Sequence, residues 1–411
     1  MLCHGTARRW DTEKMSLDSS PIDVEQIVRL FLLARWRSAA LEPARGLVQR
    51  AGFDWDLLLR YVQERGVTQL VYRAVRDQDW VPAMVEQNLR EVSHQDAIRD
   101  LLVFHELESV LRSLADRGVS LILLKGAALA RTVYAEAGVR PMGDLGLLVQ
   151  RHDVPAAEAV LEAVGYLPLD VETRAGIDLL YRHSATLQRV DILVTLIELH
   201  WSLFAAQYYQ HKLPMDWFWQ TAIPVRVGSA STLVLGPEAQ LLHLCAHLVL
   251  HHEGTELLWL NDIAEVISHY QGQIDWEQLL DRAQAYDLLL PLQQLLPHVA
   301  GEWQAPVPGS VLEELQARHA SPAERRVFAW LTVRRRTTAQ RFCSDLLGIP
   351  GWGKRLHFLW TTLFPSSTYM QRRYGIRHPL LLPLYYPYHW LLSLRILPPK
   401  GGLQAPPKGD H

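Results

Sequence analysis

LLKGAALA (Leu123–Ala130) and GVRPMGDLGLLV (Gly138–Val149) decide the fold of this chain. Ser120–Leu124, SLILL, is an apolar run of strand length, and the residues from Ala127 to Tyr134 follow a helical period. Gly126 therefore falls in a tight strand-to-helix turn. Backbone N–H groups at the helix start, together with the Lys125 ammonium, suit a phosphate. The GxxxxGK run of a Walker A loop is absent, and a glycine serving only the turn is the alternative reading. The second stretch crosses a loop containing Gly138, Pro141 and Gly143 and enters another strand, Leu145–Val149.

In a strand, residues i and i+2 share a face, so an Asp-x-Asp pair would set two carboxylates side by side over bound metal. Here Asp144 supplies the first, and Gly146 leaves the second position without a side chain. One hard oxygen ligand is missing. Asp144 can still hold Mg²⁺ through phosphate oxygens, but a bridged two-metal site is poorly supported. Arg140 contacts phosphate, braces the acidic loop or pairs with Asp144, and its position alone does not choose.

Downstream, LQRVDILVTLIEL (Leu187–Leu199) is β-rich and reads as one long strand or two. Glu198 and His200 share a strand face there, and a neighbouring strand would bring Glu198 to Asp144 as a metal ligand and proton acceptor. His200 reads as an orienting group. Asp191, seven residues before Glu198, faces the other side if the strand is unbroken. Asp153 is a candidate cap for a helix over Pro155–Val164 that stops at Gly165.

Helical periodicity governs the rest. It predicts helices over Asp23–Ala39, Phe53–Arg65, Val67–Val75 and Met84–Ala115, and again over Glu238–His252, Leu257–Tyr270 and Trp276–Tyr286, with a weaker one at Leu288–Leu296. The expected class is α+β. A small mixed-sheet core at 119–235 lies between an N-terminal helical region (16–118) and a C-terminal one (236–397), with disorder at 1–15 and 398–411.

A net charge of −3 over 411 residues provides no bulk basic field, so nucleic acid is not an expected partner. Three scattered cysteines and an amino terminus without an apolar h-region predict a soluble protein of the reducing cytoplasm, with Met1 or Met15 as its start. His378–Leu394 lacks Asp, Glu, Lys and Arg, but it is short and contains Pro379, Pro383 and Pro387. Burial against the domain is the favoured reading, ahead of a peripheral membrane contact suited to Trp390 and its neighbouring tyrosines. Arg334–Arg336, Lys354 and Arg355 read as a solvated basic face. His243, His247 and His251 recur at helical spacing. Leu244 stands where HExxH needs its acid, so a packed face is preferred to a metal site, with His247 and Asp262 bordering a cleft.

LLKGAAL, the run from Arg140 to Asp144, LLV and the run from Glu198 to Trp201 together resemble an uncharacterised nucleotidyltransferase family of the polymerase-β-type superfamily. Leu242–His247, Trp259–Ala264 and the Leu363–Tyr374 region are similar to its C-terminal parts. The resemblance implies that Gly126 and the turn that follows it, Ala127 included, hold the triphosphate of an NTP, and the reading of the turn and loop adds Lys125 and Arg140 as candidate contacts. The resemblance also implies that Asp144 and Glu198 hold Mg²⁺, or Mn²⁺, and that residue 146 is ordinarily an acid. A nucleoside monophosphate would pass from the NTP to a hydroxyl of a small-molecule, peptide or protein acceptor. The alternative reading, motivated by Gly146, is a nucleotide-binding or accessory protein with impaired catalysis.

Overall fold

The computed structural model describes residues 21–50, 52–134, 138–169, 176–190, 195–252, 256–333, 336–376 and 378–393. The termini read as disordered and Asp191 lie outside the described residues. Four helices, α1 (Pro21–Leu33), α2 (Leu41–Val48), α3 (Trp55–Glu64) and α4 (Thr68–Val75), precede the 33-residue α5 (Ala83–Ala115). The sheet region follows as β1 (Leu121–Leu124), α6 (Lys125–Thr132), β2 (Leu145–Val149), α7 (Val154–Ala163), β3 (Leu167–Pro168), α8 (Ile177–Tyr181), β4 (Ser184–Arg189) and β5 (Thr195–His200). It ends with α9 (Gln207–Lys212), α10 (Met215–Gln220), β6 (Ile223–Val227) and β7 (Ala230–Val234). Helices α11 (Pro237–His251), α12 (Leu257–His269), α13 (Trp276–Ala285), α14 (Leu289–Glu302), α15 (Gly309–Ala317) and α16 (Pro322–Leu331) come next. The last are α17 (Thr338–Gly348), α18 (Trp352–Leu363), α19 (Ser367–Tyr374) and α20 (Leu382–Ser393). The class is α+β.

Among the described residues the strands form one mixed seven-stranded sheet in the order β3-β4-β5-β2-β1-β7-β6. β2 runs antiparallel to β1 and parallel to β5, with Gly146 opposite Leu124 on one side and Glu198 on the other. Strand alternation sorts the side chains. Leu121, Leu123, Leu145, Leu147, Ile197 and Leu199 pack in one core with residues of α5 and α7. Ile122, Leu124 and Leu148 belong to a second, larger core. Gly146, Glu198 and His200 share that second face by parity.

The larger core merges the two ends of the sequence, because α1–α4 and α11–α16 contribute to the same cluster. Polar ties cross the seam: Arg35 donates to Glu265 of α12 at 2.5 Å, and Arg29 pairs with Glu302 of α14. The N-terminal helical region is thus divided within α5: Val85 and Leu89 pack with α1–α4 and the C-terminal helices, whereas Val103 to Leu114 pack against one sheet face.

Three expectations are corrected. The run around Leu187–Leu199 is a pair of antiparallel strands, β4 and β5, so the parity argument for Asp191 along an unbroken strand does not apply. Asp153 makes no capping hydrogen bond. Its backbone is helical (φ −88°, ψ −9°) and ends a short 3₁₀ turn, whereas a cap side chain acts from an extended residue. The C-terminal apolar segment is not buried: Leu380 is 92% exposed and Leu384 71%, and α20 continues through Pro387. Periodicity does not predict β6 and β7, which form an antiparallel pair at the β1 end of the sheet.

Candidate active site

The strand-to-helix turn is made without a linker. β1 ends at Leu124 and α6 begins at Lys125, which has a left-handed φ of +53°. A non-glycine residue there costs about 1–2 kcal/mol, so the surroundings must hold it in place. The Lys125 ammonium donates to Glu198 Oε2 at 2.9 Å, and His200 Nε2 lies 3.1 Å from the same oxygen. Asp144, two residues before Gly146 on the same side, is hydrogen-bonded to Glu198. Residues separated by 54 positions in sequence, Asp144 and Glu198, therefore meet, as parallel pairing of β2 with β5 requires.

The electrostatics of the pair are lopsided. Burial opposes charge on Glu198, but hydrogen bonds from His200 and Lys125 outweigh it and hold its carboxyl far below the usual range. Burial pushes Asp144 up, with Lys125 opposing the rise and the charge on Glu198 adding to it. Without a ligand, Glu198 carries the firm negative charge and Asp144 takes up a proton first. An ionised carboxylate only accepts, so His200 Nε2 bears the ring proton, and Nδ1 is left buried with no hydrogen-bond partner.

Gly146 occupies the position between these groups. A Cβ built there would lie 3.2 Å from Leu124 Cβ, against about 4.5–5.5 Å for ordinary facing pairs. The absent side chain lets β1 and β2 close together at this point. Asp144 and Glu198 alone offer two carboxylates. That number suits one Mg²⁺ that keeps water and phosphate oxygens as its other ligands, and it falls short of a two-ion set.

Gly126 has a different reason. Its Cβ would come within 2.6 Å of Arg140 Nη1, so glycine makes room for the guanidinium. Arg140 donates through Nη2 to Asp262 Oδ2 at 2.7 Å and through Nε to Oδ1 at 3.3 Å, and it also reaches the Pro141 carbonyl. Tyr134 donates to Asp262 at 2.7 Å and accepts from Asn261 at 2.8 Å. The Arg140 and Asp262 side chains are only 7% and 0% exposed, so this is an interior tie between the loop before β2 and α12. Of the three readings for Arg140, the structure displays the brace, with Asp262 inside the brace and the Ala127 methyl buried in the sheet core.

The histidine face of α11 packs toward the same side. His247 stacks on His251 with ring centroids 4.7 Å apart and on Trp259 at 4.8 Å, while His252 Nε2 sits 3.2 Å from His247 Nε2. His183, not singled out by the sequence, lies 5.5 Å from His200 and 6.4 Å from His251 by ring centroid. No sequence motif marks it; the pairing of its neighbour Ser184 with His200 across β4 and β5 brings it there. Burial lowers His183, His200, His243 and His247 and pushes His251 down to about 3, so the column is neutral imidazole. Among the described residues, no group of three His, Cys, Asp or Glu side chains is disposed to hold a metal ion.

A strand, a lysine-bearing turn, an acid opening the next strand and a third-strand carboxylate brought beside it make this a nucleotidyltransferase-like protein. The likeness has a sequence counterpart: the chain belongs to the uncharacterised nucleotidyltransferase family, whose model matches residues 51–305. The Leu363–Tyr374 segment lies beyond that match. Comparison with curated proteins gives no match. Among solved structures, an antigenic nucleotidyltransferase-like protein from Paracoccidioides brasiliensis aligns over 51% of this chain and 96% of its own. Its identity of 14% and TM-score of 0.35 are too low to inform the site.

Proposed function

We propose that this protein transfers a nucleoside monophosphate from an NTP to an acceptor hydroxyl, in the reducing interior of the cell. The convergence of Asp144 and Glu198 beside Lys125 carries the reading. Lys125 exchanges Glu198 for the phosphates of the incoming nucleotide, joined by the N–H groups at the start of α6. Glu198, whose carboxylate His200 keeps oriented, accepts the proton of the attacking hydroxyl. The acceptor oxygen forms its bond to the α-phosphorus, and the bond to pyrophosphate breaks. A Mg²⁺ ion held by Asp144 and Glu198 would offset the charge that develops on the phosphate oxygens. The Arg140–Asp262 brace fixes the loop from which Asp144 projects.

Calorimetric titration with ATP and with GTP in Mg²⁺, followed by transfer of labelled nucleotide, tests the reading. Asp144→Ala and Lys125→Met are expected to lower transfer by about a hundredfold or more. An unchanged rate in Asp144→Ala overturns the assignment. Gly146 favours a second reading, a nucleotide-binding protein without turnover, and tight binding with no transfer under any acceptor mixture selects it.

A further inference from the structure

Beyond residue 305, where the family match ends, the chain changes character. From 333 to 395 it holds ten arginines and lysines and one acid, Asp345, a net +9 in a protein whose total is −3. Large apolar side chains on the same segment face outward. On α18, Trp352 is 77% exposed, Leu356 62% and Trp360 55%, and their spacing of four residues lines them along one face. Leu380, Leu384 and Leu391 are also exposed, the last two sharing a face of α20. Aromatic contacts join the two stripes: Trp360 packs on Phe364 at 4.4 Å, and Phe364 meets Trp390 edge-on at 5.4 Å. The platform is fixed to the sheet region, because Tyr181 of α8 packs on Phe358 and its hydroxyl lies 2.8 Å from His357 Nδ1. Exposed Arg372 and Arg373 stand on the next helix, α19, and the Arg355 guanidinium lies over the Trp352 ring at 5.4 Å, an apolar stem with a charged tip.

Tryptophan and leucine on one face with cations beside them are the components of an interfacial helix pair. Among the described residues no helix is long and apolar enough to cross a bilayer. We propose that α18 and α20 dock this protein flat on an anionic membrane surface, with Trp352, Leu356, Trp360 and Leu384 entering the headgroup layer and Arg355, Arg372 and Arg373 meeting lipid phosphates. The positive charge selects this occupant over a second copy, which would bring the same +9 against it. The inference stands apart from the nucleotide reading, since none of these residues touches Lys125, Asp144 or Glu198.

Flotation of the full chain with phosphatidylcholine vesicles, with and without phosphatidylglycerol, provides the test. The protein is expected to float with the anionic vesicles, to stay in the aqueous layer with phosphatidylcholine alone and to detach as salt rises. The triple variant Trp352→Ser, Leu356→Ser, Trp360→Ser, altered only at exposed positions, is expected to partition at least about tenfold more weakly, as is Arg372→Glu with Arg373→Glu. Unchanged circular dichroism in both variants separates lost docking from lost folding. Failure of the native chain to float overturns the proposal. So does flotation indifferent to both variants, a concentration-dependent dimer that shields the tryptophans, or tighter binding to single-stranded oligonucleotide than to anionic vesicles.

Discussion

At Gly146 a missing side chain shapes both chemistry and packing. The sequence displayed the missing acid but not its consequence, because the closeness of Leu124 depends on which strand pairs with which and in what register. Restoring a carboxylate is therefore more than a chemical repair. The collision is between two Cβ atoms, so shortening Leu124 to alanine does not relieve it, and the strands themselves must part by a few tenths of an ångström. Gly146→Asp is expected to lose about 1–3 kcal/mol in urea unfolding, the usual range for overpacking. Mg²⁺ is expected to raise its Tm more than that of the native protein, because the ion would relieve three crowded carboxylates. A Gly146→Asp chain as stable as the native one, and indifferent to Mg²⁺, would refute both halves. Lys125 was legible as a cation beside a turn, yet its engagement with Glu198 was not, since 73 residues separate them.

At the scale of elements, the turn β1–α6, strand β2 and the positions of α11 and α12 were readable from periodicity, because each carries a regular apolar pattern over its own length. What failed was local ambiguity: an apolar run does not say whether it is one strand or a hairpin, and in β6 the alternation of Ile223, Val225 and Val227 is masked by Pro224, a strand breaker tolerated here because β6 is an edge strand. Arg140 shows the same divide. Its motif drew attention to it, but only tertiary structure pairs it with Asp262, 122 positions away. Removing one partner of a buried pair leaves the other charge stranded, so Arg140→Met is expected to cost about 3–5 kcal/mol. The double change Arg140→Met with Asp262→Leu is expected to recover much of that loss, measured as a double-mutant cycle of urea midpoints. Full additivity of the two single losses would show that the brace contributes no coupling.

At the scale of the molecule, titratable groups buried in both cores set opposing pH limits. His183, His243, His247 and His251 stay neutral when folded, whereas the unfolded chain protonates them near about 6.5. The stability they contribute is complete above that value and drains as pH falls toward about 3, the folded value for His251. Burial pushes Asp100 and Glu324 up to about 7, which has the opposite effect: their contribution is complete below the ordinary carboxyl range and is lost as pH rises through about 7. Unfolding midpoints are expected to fall steeply below about pH 6, while Asp100→Asn gains stability near pH 8 and none near about pH 3. A flat acid limb, or equal effects of Asp100→Asn at both values, would contradict this distribution. The zones 16–118, 119–235 and 236–397 followed composition along the chain, and nothing in a linear pattern reveals that its first and last helices complete one another. That union matters during synthesis. The apolar faces of α1–α4 emerge from the ribosome well before α11–α16, and at about 5–20 residues per second the wait is on the order of ten seconds or more. Throughout that interval the newborn amino-terminal helices present half of a core to solvent, an apolar surface of the kind that chaperones bind.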